Sequence, residues 1–247
     1  MLTLNKTALT TAILMASLCH SSLSHAVIII DDFNVSPVNF VDQYADGSAA
    51  TFSQSSLSAG NVIGGARDMV TDMTVKGASD TSLIRTSITP GGLFKSERNS
   101  GVDGISIVRW DGNANGSLNA TGLGSLDLTA DDQFEIVVAS DPLGGSIELT
   151  IWDSNSSASS SFATSALTSS WTYFVNFSAF VGIDFTDVGA IQLTIPAGKL
   201  ARAVSIDSLR TYDSGTSNPP SIPEPATLAL LGLGLLGLSY SKRARVM

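Results

Sequence analysis

At 247 residues the chain has room for one domain of ordinary size plus targeting segments. Only 14% of its residues are charged, against roughly 25% in an average soluble domain, and Ser, Thr, Gly, Asn and Ala fill the shortfall. Four of the 13 basic residues (Lys6, Lys242, Arg243 and Arg245) lie at the chain ends, and all 22 acidic residues lie between Asp31 and Glu224. That leaves the middle with nine basic residues and a net charge near −13, which argues against nucleic acid and suits calcium.

The first 26 residues have the layout of a secretory signal. Lys6 supplies the positive region, and Ala8 to Leu18 form an apolar stretch too short to span a bilayer as a stable helix. Ser24-His25-Ala26 puts small residues at the −3 and −1 positions, so cleavage by signal peptidase is expected between Ala26 and Val27. Leu18 is not small, which weighs against lipid attachment at Cys19.

Residues 27–213 carry short apolar runs of strand length: VIIIDDF, RDMVTDMTV, SLIRTSI, GISIVRW, QFEIVVAS, SIELTIW, TYFVNFS, GAIQLTI and AVSIDSLRTY. Gly, Asn, Asp and Ser clusters separate them. In SIELTIW, Ile147, Leu149 and Ile151 alternate with Ser146, Glu148 and Thr150, giving one buried and one wet face. No stretch keeps helical periodicity for three turns. The expectation is an all-β domain, an antiparallel β-sandwich of jelly-roll type, with Ser154 to Ser161 as an exposed loop.

Residues 214–222 read as a polar linker. Pro223-Glu224-Pro225 follows, then an apolar segment from Ala226 to about Leu238, then a tail with Lys242, Arg243 and Arg245. Thirteen helical residues reach only ~20 Å against a hydrocarbon core of ~30 Å, so this short transmembrane helix needs bilayer thinning or snorkelling lysine and arginine to cross. The basic tail should stay cytoplasmic and leave the domain on the outer side.

The order Pro-Glu-Pro, short Leu/Gly-rich helix, basic tail, at residues 223–247, resembles the PEP-CTERM sorting signal. The resemblance implies a Gram-negative host that makes extracellular polysaccharide, and recognition of Pro223, Glu224 and Pro225 by exosortase, a membrane-embedded cysteine peptidase that cuts near the motif. It also implies a transient inner-membrane anchor and then the cell surface or the medium. The Trp110-Asp-Gly-Asn113 turn and the segment Asp184 to Ile191 are similar to middle regions of other such proteins. An opening strand ending in Asp31-Asp32-Phe33 and a closing strand with Ile206 to Leu209 resemble jelly-roll carbohydrate-binding modules, whose first and last strands lie together and share a structural calcium. On that resemblance Asp31 or Asp32 with Asp207 is a candidate calcium site.

Chemistry is narrowed by what the mature chain lacks. His20, His25 and Cys19 all precede the expected cut, so Ser-His-Asp and Cys-His sites, His-based zinc sites and disulfides are excluded from it. Asp111-Gly-Asn113-Ala-Asn115-Gly116 matches the first half of a calcium loop, although position twelve, normally a bidentate Glu, is Gly122. Trp110, Trp152, Trp171 and Tyr173 are candidates for stacking on sugar rings. No catalytic residue is assigned, and the leading expectation is a non-enzymatic protein that binds glycan or acts structurally in the polysaccharide matrix. The alternative is a polysaccharide hydrolase with two carboxylates, drawn from Glu135, Glu148 and Asp153.

Overall fold

The structure is a computed structural model and describes residues 27–43, 47–79, 81–155, 159–163 and 170–215. The expected signal peptide, most of the expected linker, the Pro-Glu-Pro motif and the expected C-terminal helix lie outside the described residues. Val27–Ser214 forms one compact unit.

Thirteen strands build it: β1 (Ile29–Asp31), β2 (Val38–Asp42), β3 (Ala50–Gln54), β4 (Arg67–Val75), β5 (Ile84–Ile88), β6 (Phe94–Arg98), β7 (Asp103–Trp110), β8 (Gln133–Ser140), β9 (Glu148–Asp153), β10 (Ser159–Ala163), β11 (Trp171–Asn176), β12 (Val188–Ile195) and β13 (Ala203–Tyr212). Among the described residues there is no α-helix, only two short 3-10 turns, and no helix long and apolar enough to cross a membrane. The first sheet runs β11-β8-β13-β6-β5-β2, with β1 beside β13; the second runs β10-β9-β12-β7-β4-β3. Every pairing is antiparallel. The expected all-β sandwich is the observed fold.

Alternation explains most of the strands. In β7, Ser106, Val108 and Trp110 are buried, while Ile105, Ile107 and Arg109 are only half-buried on the outer face. The inner faces of the two sheets close over a core that includes Phe33, Phe94, Trp110, Phe134, Ile136, Leu149, Ile191 and Leu209. A smaller apolar group, Met73, Ile84 and Val102, sits apart from it. Between the two groups β4, β5, β6 and β7 each place a hydroxyl: Thr71, Thr86, Ser96 and Ser106, all buried. Thr71 donates to Thr86, Thr86 to Ser106 at 2.9 Å, and Ser96 lies 2.8 Å from Ser106. Mutual bonding removes the desolvation cost these groups would otherwise carry.

Three arginines are also internal. Arg67 pairs with Asp31, Arg98 with Asp103 and Arg202 with Asp141. This polar interior explains the strands that sequence reading missed. In β6 the inward positions are Phe94, Ser96 and Arg98, so its sequence shows no apolar alternation. The strands β2 and β3, both in the outermost rows, are only partly buried, and their apolar signal is correspondingly thin. The expected loop Ser154 to Ser161 is half corrected, because Ser159–Ala163 pairs with β9 as an edge strand. Backbone pairing with a formed sheet overrides the weak strand preference of a serine run.

Candidate functional site

The first and last strands lie together, as the module resemblance implies. Ile29 stands opposite Arg210 and Asp31 opposite Leu209, and the Thr211 amide donates to the Ile28 carbonyl at 2.9 Å. Their carboxylates are differently placed: Asp31 is inside the sandwich and Asp207 is exposed. Asp31 is fully buried, and both its oxygens accept from Arg67 Nη1 at 2.8 and 2.9 Å. It also accepts the Trp110 indole N–H at 2.9 Å and the Phe33 amide at 2.7 Å. Burial pushes the Asp31 carboxyl up, and Arg67 and these donors pull it back. Asp32 accepts from Asn61 at 2.6 Å and from the Asn34 amide at 3.0 Å, while Asp207 is exposed on β13. The countercharge assigned to calcium at Asp31 is therefore a guanidinium. Among the described residues no group of three or more His, Cys, Asp or Glu side chains gathers as a metal site.

Trp110 is corrected by the same contacts. It is completely buried beside Phe33, with ring centroids 6.3 Å apart, and presents no face to a ligand. The other predicted aromatics are scattered. Trp152 is half-buried on the second sheet, opposite Ala190; Tyr173 packs against the core opposite Ile136; Trp171 is 65% exposed at the start of edge strand β11. They form no common platform.

The loop after β7 is closed by Asp111, whose two oxygens accept the amides of Asn113 at 3.1 Å and Asn119 at 2.7 Å. Asn115 caps the Ser117 amide at 2.9 Å. Gly122, at the place of the calcium-loop glutamate, lies so close to the Asp111 backbone that a Cβ would stand 1.7 Å from its carbonyl oxygen. Gly122→Ala is expected to destabilise the domain by roughly 1–3 kcal/mol, the usual cost of overpacking, read as a lower urea midpoint.

An exposed aromatic pair that sequence reading passed over stands on the outer face of the first sheet. Alternation in β11 turns Tyr173 and Val175 inward and Phe174 outward. Phe174 is 48% exposed on β11 and Tyr212 37% exposed at the end of β13, on either side of β8. Their rings meet with centroids 4.9 Å apart and planes at 52°. In register, Phe174 faces Glu135, which faces Arg210; Asn176 faces Gln133, which faces Tyr212. The rings thus lean over β8, and Glu135 and Gln133 are buried although they point away from the core. Arg210 donates to both Glu135 oxygens, at 2.9 Å from Nη2 and also from Nε, and this bonding holds the guanidinium above its ordinary range. Asn176 also lines a polar hollow of about 360 Å³ with Thr129, Asp131, Asp132, Phe177 and Ser178. Period-two alternation from buried Val175 was the available signal for Phe174; nothing local paired it with Tyr212.

The carboxylates considered for hydrolysis are not assembled. Glu135 is paired with Arg210 on the first sheet, Glu148 is on the second, and Asp153 is buried, accepting the Asn155 amide at 2.7 Å.

No curated protein matches the chain. Among solved structures, a family 11 carbohydrate-binding module from Clostridium thermocellum in complex with a β-1,3-1,4-mixed-linked tetrasaccharide is 12% identical, with TM-score 0.39 over 76% of this chain and 95% of that one. A mutant of a family 29 carbohydrate-binding module is 14% identical, with TM-score 0.34 over 71% of this chain and 100% of its own. One protein-family model matches, at the C-terminus: it describes a protein-sorting motif and contains Pro223, Glu224 and Pro225. The sequence resemblance at that end is thereby confirmed, and the motif implies export and sorting by exosortase to the cell surface. The chain carries a PEP-CTERM protein-sorting motif at residues 221–244.

Proposed function

We propose that the mature domain is a non-catalytic glycan-binding module, displayed at the cell surface or in the extracellular polysaccharide after exosortase sorting, and that it holds glycan on the outer face of its first sheet. The observation that carries this reading is the exposed Phe174–Tyr212 pair ringed by hydrogen-bonding groups. The C–H face of a pyranose packs on an aromatic ring, while its hydroxyls need donors and acceptors at the edge. Arg210, Asn176 and the hollow beside it supply those in reach of the rings. The contact between the two rings is worth only about 1 kcal/mol to the fold, while each ring keeps a large apolar face open to a ligand.

Polysaccharide pull-down with the secreted protein tests it. Phe174→Ala and Tyr212→Ala should each weaken binding at least tenfold while costing about 1 kcal/mol of stability, the worth of one aromatic pair. Binding that survives both substitutions rejects this face. Loss on Trp152→Ala alone would move the surface to the second sheet.

A further inference from the structure

We propose a calcium site built around Asp68, which sequence reading did not single out, with the loop after β7 as its lid. Asp68 is on the outer face of β4 yet completely buried. Its Oδ2 accepts the Gly116 amide at 3.0 Å, so the carboxylate points at the 111–116 loop, and its Oδ1 has no partner among the described residues. Arg109, opposite it in register, gives its Nε–H to Gln192 at 3.0 Å instead and makes no ion pair with Asp68. A buried carboxylate held by one amide has an unmet acceptor, which a cation would satisfy.

The surroundings are hard oxygens. A Cβ on Gly116 would lie 3.9 Å from Thr51 Oγ1 and 4.0 Å from Ser53 Oγ, which places the β3 hydroxyls beneath the loop and beside the Asp68 contact. The loop itself carries the side-chain carbonyls of Asn113 and Asn115. Soft or imidazole-seeking metals find no Cys or His here, since the mature chain has none. Calcium accepts six to eight oxygens, many of them neutral, and water can complete its shell, whereas magnesium demands a stricter octahedron. One carboxylate with neutral donors corresponds to the weak sites of extracellular modules, with Kd about 10⁻⁴–10⁻³ M. Asp111 closes the loop through backbone amides, and Asp68 supplies the charge under it.

The secreted protein is melted in saturating calcium, in equal magnesium and in chelator. Saturating calcium should raise Tm by roughly 5–10 °C, as expected for a ligand well above its Kd on a domain this size. Magnesium should do much less. Asp68→Asn should abolish the calcium shift, and Asn115→Ala, an exposed change whose one structural loss is the cap on the Ser117 amide, should weaken calcium affinity at least tenfold by calorimetry. Identical curves in calcium and chelator overturn the proposal, as does a calcium shift that survives Asp68→Asn or is matched by magnesium. Should Asp68→Asn fail to fold, Asn115→Ala with Ser53→Ala decides: unchanged affinity in both overturns it.

Discussion

Replacing Arg67 by Met should lower the stability of the domain by about 3–5 kcal/mol, because it leaves the buried Asp31 carboxylate without its counterion. Every guanidinium nitrogen of Arg67 donates: Nη1 to Asp31, Nε to Gln54 at 2.6 Å and Nη2 to the Val35 carbonyl. The pair also ties β1 to β4, that is, one sheet to the other. Against a total stability of about 5–15 kcal/mol, this loss threatens the fold at growth temperature. The double change Arg67→Met with Asp31→Leu should recover only part of it, since the Trp110 indole and the Phe33 amide would then lack their acceptor. Chemical denaturation of the two variants checks both statements. A single-mutant loss below about 1 kcal/mol would mean that the Asp31 site is already neutral or wet in the wild type.

Trp110→Ala should cost about 3–5 kcal/mol, the range for truncating a core aromatic. The ring is fully buried between Phe33 and the β12 residue Ile191, its neighbour in register, and it bonds Asp31 as well. Trp171→Ala, at a position 65% exposed, should change stability by no more than about 0.5 kcal/mol. A thermal melt of each variant reads this contrast directly. Because Trp110 and Arg67 share Asp31, their effects should fall short of additive in the double mutant, and full additivity would count against the shared network.

The sequence by itself determined what depends on neighbours along the chain. Alternation in SIELTIW and GISIVRW, with glycine and asparagine between runs, gave the strand class and the sandwich. The C-terminal sorting motif was legible because it is a contiguous segment, read residue by residue. Strands whose inward positions are polar escaped, as Ser96 and Arg98 in β6 show. Their partners, Ser106 and Asp103, sit on β7, and no local pattern marks such a position as interior.

Tertiary structure decided which side chains meet. A tryptophan at a strand end looks the same in sequence whether it is core, like Trp110, or rim, like Trp171; sheet order and register separate them. Asp31 and Arg67 are 36 residues apart, and Phe174 and Tyr212 lie on strands brought together only by the β11-β8-β13 order. That order is a property of the whole sandwich, set by the summed pairing of both sheets and the core between them. The physical reason is that backbone pairing is nearly indifferent to side-chain identity, so long-range register is chosen by collective burial and not by any local motif.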